Sequence, residues 1–477
     1  MVGLLPSPAN AIRPDIIQTL TALADIAHDI SVAESSRSLL LQQSSLLRAN
    51  NALAQLRQHT GSMIKLPDAR LLELVVGKWQ RLVTVMGGLV GDLSRKLPLL
   101  KNPYTIGTPV RGEDFIGRDD ILRYITDELL AGTKQCPSIV LYGHRRMGKT
   151  SILKNLSSRL KSTNIKVVDF NMQILGHVSS TNELLYALAK QLQRSLDDPN
   201  LTAGLTVDRA AFMEQNPYFA LDNYFQSLEK SISVHANNYR FVVAVDEFEK
   251  IEQKIINQQL SADLLEFLRG LTQTYCWFSM VFAGLHTIEE MCFDYWNPFF
   301  TSIPIRVSFL EDKAVEQLIL QAGDIAYDSS VIPKVIELTN GQPYLVQLIG
   351  YTLIRFFNLN KLRKVIKAGE YPVFNADDLE TLIQSSEFYS IGNAYFQGVW
   401  LQAHHGQPPG QTNILQALAG EQKSKEQLIA SVSLSVETIC EALDTLQLHD
   451  VIQCKQGYYS YTVELMCRWV RATHPID

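Results

Sequence analysis

None of the six cysteines, at positions 136, 276, 292, 440, 454 and 467, stands in a C-x-x-C pair. Their scatter argues against a zinc ribbon or a disulfide frame and fits reduced thiols in a cytosol. Long apolar runs are also missing: no stretch approaches the roughly eighteen residues that cross a bilayer. The opening MVGLLPSPANAIRPD lacks the basic lead and the apolar length of a signal peptide. There is no basic excess, since 43 Lys and Arg face 49 Asp and Glu for a net charge of −6, so bulk charge draws the chain to neither nucleic acid nor an anionic membrane. No internal repeat stands out. Adjacent histidines point in different directions, so His404-His405 in HHGQPPGQT is expected to be a solvated loop and not a metal site. What remains is a 477-residue chain, 46% hydrophobic, with enough apolar material for about three domains. It is expected to stay in the cytoplasm without touching a membrane.

The most informative stretch is Ser138–Thr150, SIVLYGHRRMGKT. A short strand-like run leads into Gly143, His144, Arg145, Arg146, Met147, Gly148, Lys149 and Thr150, and an amphipathic segment from Ser151 follows. The spacing G-x-x-x-x-G-K-T lets the backbone curl so that its N–H groups face a phosphate chain at a helix N-terminus. Lys149 is placed for the β- and γ-phosphates and Thr150 for Mg²⁺. About a hundred residues on, the apolar run Phe241–Val245 ends in Asp246-Glu247. Acids at the carboxyl end of a buried strand sit where open α/β sheets bind ligands, so Asp246 is expected to fix Mg²⁺ and Glu247 to orient or deprotonate the attacking water. A plain acidic helix cap is the competing account.

Around these motifs the chain alternates strand and helix. Strands are expected at Ile139–Tyr142, Lys166–Phe170, Phe241–Val245, Phe278–Ala283 and Ile303–Phe309. Together they predict an α/β fold, a doubly wound, parallel five-stranded P-loop NTPase sheet. In P-loop ATPases with an extra strand between the two nucleotide motifs, the end of that strand often carries a polar residue that senses the γ-phosphate. That makes His286 or Thr287, after Gly284-Leu285, the candidate here; a turn without a role is the other reading. Before the sheet, apolar residues recur at helical spacing from Pro14, from Ser36 and from Leu71, predicting three or four helices in residues 1–100. These are either an effector or oligomerisation module or a helical spacer. Residues 101–310 form the expected ATPase core and 311–386 a helical subdomain, with helices at Asp312–Ala322, Asp328–Thr339 and Tyr344–Phe357.

Phe115-Ile116-Gly117-Arg118, GHRRMGKT, AVDEFEK at 244–250, AGLHT and TNGQPYLVQLIG at 339–350 together resemble the STAND class of signal-transduction ATPases and their archaeal-type relatives, close to the AAA+ initiators. The resemblance spans about residues 102–475. It implies ATP and ADP as ligands with Mg²⁺, a nucleotide site from Gly143 to Ser151, and an adenine pocket lined by Phe115, Gly117, Arg118 and Pro343. It also implies an ADP-closed state that opens with ATP and assembles into a homo-oligomer or meets a protein partner. Where several relatives carry Gly-Arg, this chain reads Asn297-Pro298-Phe299-Phe300-Thr301-Ser302, so no arginine finger is identifiable and slow turnover is expected.

Residues 387–477 read as a winged helix-turn-helix, with helices at Thr412–Gly420, Ser424–Val432 and Val436–Leu448 and a hairpin from Val451 to Thr462. Between Glu426 and Gln453 stand five acids and no Lys or Arg. Such a surface repels a duplex, so a protein contact is favoured over DNA binding. An initiator-like DNA-handling ATPase and a nucleotide-stabilised scaffold are the two alternatives.

Overall fold

The computed structural model describes residues 14–35, 39–62, 67–96, 100–131, 136–161, 163–196, 205–234, 239–285, 291, 296–299, 301–322, 325–359 and 373–475. The chain divides into two compact units.

The first unit comprises Met1–Asn102, Ala322–Asp328 and Tyr351–Leu382. Its helices α1 (Pro14–Ser35), α2 (Leu39–Ser62) and α3 (Pro67–Lys96) pack in sequence around Leu23, Ile26, Leu46, Ala49, Leu53, Val76 and Val83. The expected helical periodicity in this stretch is thus present as three helices among the described residues. Elsewhere in this unit Asn358 exchanges two hydrogen bonds with the Leu100 backbone, at 3.0 and 2.9 Å. Ala326–Tyr327 pairs in parallel with Val373–Phe374. That pairing delays the helix expected from Asp328: the Asp328 N–H donates to the Phe374 carbonyl at 2.8 Å, and the helix begins only at Val331.

The second unit, Pro103–Gln321, Ser329–Gly350 and Ile383–Asp477, holds the sheet. Strands β1 (Ile139–Tyr142), β2 (Ile165–Asn171), β3 (Arg240–Asp246), β4 (Phe278–Gly284) and β5 (Ile303–Arg306) run parallel in the order β2-β3-β4-β1-β5. Side chains alternate across a strand, and here both faces are buried. Phe241, Val243 and Val245 of β3 enter a core shared with α6 (Thr181–Arg194), α7 (Pro217–Val234), α8 (Glu249–Ile256) and α9 (Leu264–Thr274). Val242 and Ala244 face the other way, against α4 (Asp119–Ala131) and α5 (Lys149–Arg159). The first core includes an aromatic cluster in which Phe225 meets Tyr275, Trp277 and Phe278 at ring separations of 5.2, 5.1 and 4.9 Å.

The strand expected to run to Phe309 stops at Arg306. Beyond it the Val307 N–H still reaches the Tyr142 carbonyl at 2.8 Å, but the Leu310 N–H goes to Gly341 at 2.8 Å, which draws the chain off the sheet. It then enters α10 (Asp312–Leu320), α11 (Val331–Thr339) and α12 (Pro343–Asn358). Asn340 and Gly341 make the turn between the last two at φ values of 48° and 73°. A Cβ on Gly341 would collide with the Leu310 carbonyl.

The C-terminal part contains α13 (Ser386–His405), α14 (Gln411–Gly420), α15 (Lys425–Ser431) and α16 (Val436–Leu448). A three-stranded antiparallel sheet of β6 (Lys423–Ser424), β7 (Ile452–Lys455) and β8 (Tyr458–Tyr461) follows in the order β6-β8-β7, and α17 (Glu464–Thr473) closes the chain. The three expected helices and the hairpin are present; α13, α17 and β6 were not expected. α13 absorbs His404 and His405 into its last turn, so the loop starts only at Gly406. Trp469 of α17 stacks on Phe396 of α13 at 5.9 Å, and Trp400 stacks on His474 at 4.0 Å. Ser424 caps α15, with Gln427 reaching back to complete a capping box.

Replacing Gly341 by alanine forces both a left-handed backbone and a backbone collision. The variant is expected to lose about 2 kcal/mol or more of stability, read as a lower midpoint in thermal or urea unfolding. Alanine at Gly420, where a Cβ meets nothing within 4 Å, is the control.

Candidate nucleotide site

The 143–150 loop is built so that its carbonyls are taken up and its N–H groups are left for something else. Lys149 Nζ accepts no bond; it donates to the carbonyls of Gly143 at 2.7 Å and His144 at 2.9 Å. Gln342 Nε2 donates to those of Arg145 and Arg146, both at 3.3 Å. Arg118 donates to Met147 at 3.2 Å, and the Ile152 N–H takes Gly148 at 2.9 Å. Each carbonyl from Gly143 to Gly148 therefore has a named donor, drawn from α5, the Gln342 turn and the Arg118 segment. With its carbonyls taken up by donors of the protein, the loop keeps its amides for a ligand, the arrangement that receives an anion at a helix N-terminus.

The bends this needs are visible in the dihedrals. Gly148, before α5, lies at φ 93°, Gly143 at 148° and Arg146 at 64°. A side chain at Gly143 would run into the Val307 carbonyl, so only glycine lets β1 turn into the loop beside the exit of β5. Arg146 sends its guanidinium over Tyr344, 4.9 Å from the ring centroid.

Opposite the loop stands the end of β3. Thr150 Oγ1 donates to Asp246, 3.0 Å from Oδ2 and 3.3 Å from Oδ1. Asn171, paired in register with Asp246 at the end of β2, donates to Oδ2 at 2.9 Å. A hydroxyl and a carboxylate side by side are hard oxygen donors and fit Mg²⁺. Glu247 follows at φ 56°, an uncommon conformation for a residue with a side chain, and pairs with Lys250 at 2.6 Å.

Burial perturbs several of these groups. Desolvation lowers Lys149 to about 8, against the attraction of Glu249 and Asp246. Desolvation raises the Asp246 carboxyl, which the Thr150 hydrogen bond opposes. His144 is lowered to about 3, first by burial and then by Lys149 and His449. It remains a neutral ring, edge-on to Tyr395 of α13 at 6.1 Å.

Around these groups lies a cavity of about 1280 Å³. Its lining includes Arg145, Arg146, Met147, Gly148, Lys149, Thr150 and Ser151 of the loop and α5, with Asp246 and Glu247. Phe115, Arg118 and Pro343 also line it, as do Tyr344 and Gln347 of α12 and Gly398, Gln402 and His405 of α13. Gly117 does not; it lies where α10 passes closely, and a Cβ there would meet Ala314 and Leu310. Arg118 spends its guanidinium on the carbonyls of Met147, Ser308 and Phe309. Burial lowers it to about 10. Ser151 accepts from the Val110 N–H at 3.1 Å, turning its hydroxyl to the segment before Phe115. His286 and Thr287 lie outside the described residues.

Asn171, Gln342, Tyr344 and α13 were missed in the sequence. Only for Gln342 was there a cue, its place inside the N-G-Q-P turn. Among the described residues no cluster of three or more His, Cys, Asp or Glu forms a metal site, and no helix is long and apolar enough to cross a membrane.

Comparison with known proteins bears on the fold that carries this site. Residues 132–292 match the model of the AAA domain family. No curated protein matches the chain. Among solved structures, the Walker-type ATPase paby2304 of Pyrococcus abyssi superposes with a TM-score of 0.53 at 14% identity, over 77% of this chain and 99% of that one. The Aeropyrum pernix ORC1 protein in complex with DNA gives 0.37 at 12% identity, over 77% and 94%. The Thermotoga maritima RuvB Holliday junction branch migration motor gives 0.39 at 13%, over 77% and 99%. The chain carries an AAA-type P-loop ATPase domain.

Replacing Asn171 by alanine removes a donor to Asp246 and leaves the sheet ladder intact. Mg²⁺-dependent affinity for an ATP analogue is expected to fall about tenfold, with Mg²⁺-free affinity unchanged, as read by titration with a fluorescent nucleotide.

Proposed function

We propose that this protein is an ATP-binding and ATP-hydrolysing switch of the STAND type, in which nucleotide state controls assembly or the binding of a protein partner. The observation that carries the reading is the shared cavity: phosphate loop, Asp246, Pro343 and α13 line the same space. A ligand there touches the C-terminal part as well as the sheet. His144 packs against Tyr395, Arg145 lies beside Gly398 at 3.8 Å from the position of a Cβ there, and Arg306 pairs with Asp450 at 2.6 Å. Two nucleotide states differing at the γ-phosphate would bear differently on these contacts, the requirement for a ligand to shift a conformational equilibrium.

In this reading the loop amides and Lys149 hold the phosphates, and Phe115, Arg118, Pro343 and Tyr344 surround the base. Thr150 and Asp246 hold Mg²⁺, which when bound neutralises developing phosphate charge. Glu247 orients the attacking water and accepts its proton. Residues 387–477 act as a winged helix-turn-helix that contacts protein, in keeping with the five acids and absent Lys and Arg between Glu426 and Gln453. A cytoplasmic location goes with this role.

Glu247→Gln is expected to retain ATP and to slow hydrolysis about a hundredfold or more, measured by phosphate release. A bound nucleotide that neither turns over nor changes solution mass in wild type would favour a scaffold instead. The solution mass should rise with a non-hydrolysable ATP analogue, not with ADP, and Lys149→Ala should abolish the rise, as read by light scattering.

A further inference from the structure

Helix α3 carries two apolar faces where a surface helix needs one. Val76 and Val83, with Leu72, Trp79 and Met86, pack into the bundle. About a quarter-turn away, Leu71, Leu74, Leu82, Val85 and Leu89 are 66, 68, 58, 61 and 61% exposed, and Val75 40%. A single stripe about 100° wide accounts for packing on a core. The second stripe has no partner among the described residues of the unit, and together its side chains leave roughly 600 Å² of surface open. That is the upper limit for a monomer patch and most of the roughly 800 Å² that each side of a stable interface contributes.

The spacing of the stripe says what covers it. Positions 71, 75, 78, 82, 85 and 89 alternate steps of four and three, the seam that packs against another helix by knobs into holes. The seam is also self-complementary when reversed. About a two-fold axis beside position 80, Leu71 meets Leu89, Val75 meets Val85, and Lys78 meets Leu82, so each apolar side chain faces an apolar side chain or a lysine stem. In a parallel pair the two Lys78 ammonium groups would face one another in one layer, a like-charge contact that the antiparallel pair avoids. Arg81, at the flank near the axis, turns back along its own helix, its Nε donating to the Gly77 carbonyl at 3.3 Å.

We propose that the exposed seam of α3 is a homodimerisation surface, on which α3 of a second copy of this chain lies antiparallel. None of the nucleotide-cavity residues belongs to the unit that contains α3, so pairing does not depend on nucleotide and stands or falls separately from the switch.

The test is sedimentation velocity of the full chain without nucleotide across about 0.5 to 50 µM, for wild type, Leu89→Glu, Lys78→Leu and Lys149→Ala. Wild type and Lys149→Ala are expected to dimerise alike. Leu89→Glu, which sets each new carboxylate against Leu71 and away from Lys78, should raise the dissociation constant about a hundredfold by burying two unpaired carboxylates, and Lys78→Leu should lower it. Because Leu89 is exposed, an unchanged unfolding midpoint in Leu89→Glu separates lost pairing from lost folding. A monomeric wild type at 50 µM, or a dimer insensitive to Leu89→Glu, overturns the proposal. So does a wild type that stays monomeric but floats with anionic lipid vesicles through the same leucine, since the stripe would then be a membrane face.

Discussion

The arrangement of this molecule follows from where six consecutive carbonyls go. For the amides from Gly143 to Thr150 to be kept for a ligand, the carbonyls of Gly143 to Gly148 must find partners elsewhere, and buried carbonyls need donors. Lys149, Gln342, Arg118 and the start of α5 supply them. These donors come from parts of the chain separated by more than two hundred residues. The loop is thus an assembly of the fold and not a property of its eight residues alone. Arg118 illustrates the point. The resemblance to STAND ATPases places it at the adenine, yet its guanidinium is committed to three backbone carbonyls at the root of the loop. Its side chain fixes the pocket's wall, whatever else it meets there.

The same bookkeeping links the site to the rest of the second unit. Gln342 touches two loop carbonyls with Nε2 and accepts the Leu345 N–H at 2.8 Å with Oε1, so the start of α12 and the loop share one side chain. One residue back, Gly341 accepts from Leu310 and ends the path that began at β5. His144, buried and neutral, has Tyr395 of α13 against its edge. A change at the phosphates therefore has two short routes outward, through Gln342 to α12 and through His144 to α13.

Motifs with fixed spacing were legible in the sequence; partners brought by pairing were not. Gly143, Gly148, Lys149 and Thr150 announce themselves because local backbone geometry demands them in that order. Five buried parallel strands follow from apolar runs alternating with helices. Their order does not, because nothing in β4 states that it will lie between β3 and β1. Asn171 became visible only once the register of β2 on β3 set it against Asp246. Helix α13 escaped because its single buried face, Phe388, Gly392, Tyr395, Phe396, Val399, Trp400 and Ala403, includes a glycine while Leu401 stands exposed outside it, which blurs the apolar period in the sequence. The N-terminal helices show the opposite. Their period was plain, and in α3 it was present twice, on adjacent faces, a feature that exposure alone separates.

The central claim is that the phosphate loop is mechanically tied to α12 and α13, and hydrogen–deuterium exchange of the wild-type chain with ADP, with a non-hydrolysable ATP analogue and without nucleotide tests it most directly. The account predicts that both nucleotides slow exchange in residues 143–152, and that the analogue and ADP differ in residues 342–347 and 388–405. Protection confined to the loop, with α12 and the body of α13 identical in all three states, would contradict it.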